Sequence, residues 1–292
     1  MTSTETLPGT IVDAHHHLWE LSRRPQDWLD PAEMAPIRRD FTPSDYAAVA
    51  AETRIARSVL VQVLADARET REFLALADRS DTIAAVVGWA DLTRPDLADE
   101  LAALAAAPGG HLLRGIRHLV QGEPDPRWLA RADVRAGLRQ VAAAGLTYDL
   151  LVLPHQLPAV IETVRALPEL GFVLDHLAKP PIASGELEPW AGLVRELAAE
   201  PNVTAKLSGL ITEAVWDDWD GAALRPYVDV ALDAFGPGRL MFGTDWPVCL
   251  LAGTPARWAE TALTLLTDAG VPAAERDQIL RGTATRVYRL DG

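Results

Sequence analysis

The feature that most constrains this chain is a regular alternation. Eight short apolar runs rich in Val, Ile and Leu recur, beginning with "TIVDAHHHLW", "ARSVLVQVLA", "IAAVVGWADL" and "LLRGIRHLV". They continue with "LTYDLLVLP", "GFVLDHLAKP", "VTAKLSGL" and "RLMFGTDWPV". Between them lie Ala-, Leu-, Arg- and Glu-rich stretches of helical period. Strands that alternate with single helices pair in parallel through right-handed crossovers. Eight such units predict a closed (β/α)8 barrel of the α/β class, the TIM-barrel form, rather than an open doubly wound sheet. The near-continuous apolar character of the runs agrees, since barrel strands are covered on both faces. No G-x-G-x-x-G follows the first run, which argues against a dinucleotide-binding sheet. No repeat, low-complexity tract or linker divides the chain, so residues 1–292 are expected to form a single domain. The Pro-rich, charged segment 20–46 is too long for a plain strand-to-helix loop and reads as an excursion over the barrel mouth.

Charge narrows the partners. A net charge of −14 disfavours nucleic acid and anionic membrane surfaces, while leaving room for an anionic ligand in a local basic pocket. No apolar run approaches the roughly 20 residues of a membrane helix. The N-terminal "MTSTETLPGT" has neither a basic nor an apolar signal region, and the single Cys249 suits a reducing compartment, so a cytoplasmic location is expected. Oligomeric state is not legible. Of 27 Lys and Arg residues only Lys179 and Lys206 are Lys, which gives each of them a claim to a position-specific reason.

In such a barrel, chemistry gathers at the C-terminal ends of the strands. The polar residues of this chain fall there: His15, His16 and His17 on strand one, Gln62 on two, Trp89 and Asp91 on three, Arg117 and His118 on four. Strand six ends in Asp175 and His176 with Lys179 beyond, strand seven in Lys206 and Ser208, and strand eight in Thr244, Asp245 and Trp246. Alternation puts His15 and His17 on one side and His16 on the other. Two imidazoles aimed at one point suit a metal, although the same pair can also simply tie neighbouring loops. Asp13 shares their side by the same count and can orient them from below. His176 reads as a functional group or a satisfied core histidine. Asp245 reads as a cation ligand or proton carrier, with a helix cap as the bland alternative. Arg117 and Lys206 can pair with acids in the barrel or hold an oxygen-rich ligand. His111 and His155 carry no assigned role.

Beyond these residue types, the wording resembles a known family. "DAHHHLW", "VVGWADL", "LRGIRH", "LDHLAKP", "KLSGL" and "RLMFGTDWPVCLL" resemble the amidohydrolase superfamily, and within it the branch of sugar-lactone lactonases, across almost the whole chain. The resemblance implies that His15, His17, His176 and Asp245 form the site. It departs from two-metal members in having no lysine on strand four and no metal-binding histidine on strand five, so a binuclear centre is not expected. The branch leaves two routes open: one divalent metal such as Zn²⁺ on His15, His17 and Asp245, or no metal at all.

The reaction this implies is opening of a small-molecule sugar lactone to the aldonate, with Asp245 as general base and as proton donor to the leaving oxygen. Arg117, His118 and His176 would polarise the carbonyl where no metal binds. Lys206, Gln62 and Trp89 are candidates for the sugar hydroxyls, and Trp246 for an apolar wall. The alternatives are a lactonase for a dicarboxylate or muconolactone-type substrate, or a metal-dependent decarboxylase of the same superfamily.

Overall fold

The structure, a computed structural model, describes residues 10–290. The expectation about a signal sequence falls largely on residues 1–9, outside the described residues. All eight apolar runs form strands: β1 (Ile11–His16), β2 (Ile55–Val61), β3 (Ile83–Gly88), β4 (Leu113–His118), β5 (Thr147–Leu150), β6 (Phe172–Leu174), β7 (Val203–Leu207) and β8 (Leu240–Phe242). They pair in parallel in the order β1 to β8. Two backbone bonds bring the last strand end to the first: Asp245 N–H donates to His15 C=O at 2.8 Å, and His17 N–H to Trp246 C=O at 2.7 Å. The result is a (β/α)8 barrel.

Helices follow each strand, and several open on start signals in the preceding loop. α1 (Pro43–Thr53) opens with Thr42 and Asp45 capping one another and Pro at its first position. α2 (Ala67–Ala77) is capped by Asp66. The ring continues with α3 (Leu97–Ala105), α4 (Ala132–Ala143), α5 (Leu157–Ala166), α6 (Trp190–Ala198), α7 (Gly221–Phe235) and α8 (Pro255–Asp268). Two short helices, α9 (Ala273–Asp277) and α10 (Thr283–Tyr288), come last among the described residues. The segment 20–46 contains two 3-10 turns, Asp27–Leu29 and Ala32–Ile37, and its last residues enter α1.

The barrel interior changes character along its axis. Its lower part is closed by Val12, Ala14, Val59, Val61, Ala85, Val87, Val173 and Met241, with Ala284 and Tyr288 of α10 packed against them. Above that plug the inward positions become ionic.

Candidate active site

A one-residue irregularity in β1 sets the histidines. Asp13 pairs with Ser58 but His16 pairs with Leu60, so β1 carries one residue more than β2 over this step. Such a bulge shifts the alternation and re-aims side chains. Asp13 therefore falls on the His16 side, which corrects the expectation that it supports the His15 and His17 rings from below. Its carboxylate accepts from Tyr46 Oη at 3.0 Å and from Thr244 N and Oγ1 at 2.8 and 2.6 Å. Burial lifts the Asp13 carboxyl to about 6 despite these bonds. His16 stacks on Tyr46 with centroids 3.7 Å apart, away from the barrel centre.

His15 and His17 meet on the inside. His17 Nδ1 lies 2.8 Å from Val61 C=O, an acceptor only, so Nδ1 carries a proton and Nε2 points into the site. That Nε2 faces His15 Nε2 at 3.1 Å and Asp245 Oδ1 at 3.6 Å. Asp245 Oδ1 also lies 3.8 Å from His15 Nε2 and 3.8 Å from His176 Nε2. Three imidazoles from two strand ends thus surround one carboxylate oxygen. Burial alone would raise the Asp245 carboxyl; His176, His17 and Lys179 outweigh it and hold it below the ordinary range. Burial likewise lowers His176 to about 4 and His15 well below its usual value, so both rings are neutral near pH 7.

His176 is presented by an unusual backbone. His176, Leu177, Ala178 and Lys179 have φ of 52, 51, 59 and 53°, a left-handed turn without glycine. Each such residue costs roughly 1–2 kcal/mol, so the turn must be held from outside. Trp190 Nε1 donates to Leu177 C=O at 2.7 Å, Ser208 Oγ lies 2.9 Å from His176 Nδ1, and Lys179 Nζ pairs with Glu213 at 3.1 Å. Gly209, at φ +65, leaves the space for the His176 ring: a Cβ there would lie 2.5 Å from its Nδ1.

Below the imidazoles lies a buried ionic layer. Lys206 Nζ reaches Asp149 at 2.6 Å, Asp175 at 2.9 Å and His15 Nδ1 at 3.2 Å. Arg117 pairs with the other Asp175 oxygen at 3.0 Å and lies 3.2 Å from His15 Nε2. Tyr288 Oη closes the layer by donating to Asp149 at 2.6 Å. Two carboxylates meet two cations. Burial opposes ionisation of Asp175, yet Lys206, His15 and Arg117 hold it well below its usual value.

The floor opens into a cleft of about 470 Å³. His17, His176, Arg117 and Asp245 form its polar end; Trp19, Trp28, Met34, Leu119, Leu151 and Trp216 supply apolar walls, with Trp28 and Met34 coming from the 20–46 excursion.

A family model described as amidohydrolase matches residues 12–290. The chain belongs to the amidohydrolase family. A Burkholderia ambifaria protein named L-fucono-1,5-lactonase is 39% identical over 286 residues, covering 96% of each chain. One of the same name from Burkholderia multivorans is 39% identical over 296 residues, again 96% of each. Among solved structures, an amidohydrolase of Burkholderia multivorans with bound zinc aligns at a TM-score of 0.90 and 38% identity, covering 96% of this chain and 99% of that one.

In this amidohydrolase the predicted residues divide. His15, His17, His176, Asp245 and Arg117 come together. His118 does not: as the residue after Arg117 it faces the other way, stacks on Trp128 and bonds Trp89 Nε1 at 3.0 Å and Glu123 at 2.7 Å. Trp89 is thereby occupied too, rather than aimed at substrate. Gln62 is fully buried and clamps Arg117, its Oε1 accepting from Nη2 at 2.8 Å. Lys206 is fully buried in the ionic layer, so sugar hydroxyls cannot reach it. Trp246 is buried against Phe41 and Tyr46, and the apolar walls are other tryptophans. Asp149 and Asp175 received no role from the sequence. Their signal was there: a carboxylate inside an apolar strand demands a buried cation, and Lys206 was one of only two lysines. Among the described residues no helix is long and apolar enough to cross a membrane.

Proposed function

We propose that this chain hydrolyses a neutral sugar-acid lactone, an aldonolactone of the L-fucono-1,5-lactone kind, to the aldonate. The carrying observation is the convergence of His17, His176 and Asp245 on the floor of one cleft, with the buried His15 against Asp245 beneath them. The names of the Burkholderia relatives support the substrate class.

Asp245 is the general base. Its depressed pKa keeps it ionised at neutral pH, ready to take a proton as water oxygen adds to the lactone carbonyl carbon. When the tetrahedral centre collapses, the ring C–O bond breaks and Asp245 returns the proton to the departing alkoxide. Arg117, its donors held by Asp175, Gln62 and His15, stands beside the floor and sets its positive charge near the developing oxyanion. With Ser208 donating to His176 Nδ1, Nε2 carries a proton and serves as a second donor.

The donor set also fits one divalent cation. His15 Nε2, His17 Nε2 and Asp245 lie within 4.8 Å of one another, and the 3.1 Å between the two nitrogens is near the roughly 3.3 Å edge of a zinc tetrahedron with bonds of about 2.0–2.1 Å. When bound there, such an ion supplies Lewis-acid polarisation. A neutral substrate is favoured over a dicarboxylate because the charge of each cation at the cleft is already balanced, Arg117 by Asp175 and Lys179 by Glu213.

A pH-indicator screen of aldonolactones, with and without chelator, tests the reading. Asp245→Asn should lose about 10²–10⁴ in kcat while remaining folded. Near-normal turnover in folded Asp245→Asn ends the assignment.

A further inference from the structure

A polyhydroxylated lactone needs more than a catalytic floor. Its ring hydroxyls lose water on entering the cleft, and each must find a donor or acceptor there. Most polar groups of the walls are spent. The indole N–H of Trp19 donates to Arg39 C=O at 2.8 Å, that of Trp28 to Gln26 Oε1 at 2.8 Å and that of Trp216 to Thr212 C=O at 2.9 Å. The Thr212 hydroxyl donates to Gly209 C=O at 2.8 Å.

Two side chains away from the floor keep capacity. Lys179 Nζ and Glu213 Oε1 lie 3.1 Å apart on the cleft wall, and both remain about a quarter exposed. An ammonium has three donors and a carboxylate about four acceptor sites, so one ion pair leaves most of them free. Beside the cleft, Gln121 Oε1 is buried without a hydrogen-bond partner among the described residues.

Resting on the lactonase reading above, we propose that Lys179 and Glu213, with Gln121 lining the same cleft, form its hydroxyl-reading element and bind a vicinal diol of the substrate. Adjacent ring hydroxyls can span the pair, one accepting from the ammonium while the other donates to the carboxylate. Charge-assisted bonds are the stronger kind, and a site built to satisfy hydroxyls discriminates steeply against substrates without them. The element also explains why position 179 holds a lysine in an arginine-rich chain. A compact ammonium can serve Glu213 and a hydroxyl together without imposing the planar fork of a guanidinium.

The test is a selectivity ratio: kcat/KM for a hydroxylated aldonolactone divided by kcat/KM for unsubstituted δ-valerolactone. Glu213→Gln, nearly isosteric, and Lys179→Met should each lower that ratio about 10- to 100-fold, chiefly through KM for the hydroxylated substrate. Two variants on different loops guard against one failing to fold, which circular dichroism checks. Equal losses on both lactones overturn the proposal and leave the pair as a mere tie between the β6 and β7 loops. An unchanged ratio overturns it as well. A wild-type enzyme that opens neither lactone instead rejects the lactonase reading on which the proposal stands.

Discussion

Two ion pairs of nearly equal length sit in opposite surroundings. Lys206 and Asp149 are 2.6 Å apart with both side chains fully buried, whereas Arg281 and Asp277 on the outer surface are 2.8 Å apart with side chains 51% and 47% exposed. Distance alone would rank them together. On the surface, water screens the attraction and the two long side chains lose freedom, so the pair contributes about 0–1 kcal/mol. Inside, each ion has already lost its hydration, and its partners are the only compensation. Apolar residues of similar volume often stabilise a core as well as buried ions do. The ionic layer therefore has its reason in position: it lies directly under His15 and Arg117 and fixes both.

The sharpest way to break this comparison is Lys206→Met. It strands Asp149 and Asp175 together and should cost about 3–5 kcal/mol in denaturant unfolding. Adding Asp149→Asn should return part of that loss. Were Lys206→Met no worse than a surface change, the contrast would be wrong.

A smaller effect sharpens it through pH. The His176 pKa is depressed in the folded state from 6.5 to about 4, so between those values the unfolded chain binds the proton and the folded one does not. Stability associated with His176 is thus full above about 6.5 and declines as pH falls toward 4. Relative to His176→Gln, metal-free wild type should lose about 3 kcal/mol of unfolding free energy across that window. Parallel pH curves for the two proteins would contradict it. The smallest effect is expected outside: Arg281→Gln should shift stability by no more than about 0.5 kcal/mol. A larger shift would show that exposure is not what separates the two pairs.

Legibility followed the range of the interactions. The strands and most helices were readable because their signals lie within each segment, as in the Val-rich run of β2; the Thr42 and Asp45 capping pair, inside the segment read as an excursion, starts α1 earlier than expected. The convergence of His15, His17, His176 and Asp245 followed from strand ends sharing one rim. What escaped depended on facing. The bulge in β1 turned Asp13 outward, and strict alternation on β4 separated Arg117 from His118. Gln62 and Lys206 point inward as expected, but Arg117 and the two aspartates occupy them before any substrate can.

What the residues by themselves determined is an eight-fold parallel barrel with its reactive side chains gathered at one end, since period and local propensity act over a few neighbours. Which side chains face the cleft, and which are consumed beneath it, was decided only in three dimensions. A single inserted residue reverses a strand face, and the charges that neutralise Lys206 lie 31 and 57 positions away in the chain, beyond anything a local pattern can encode.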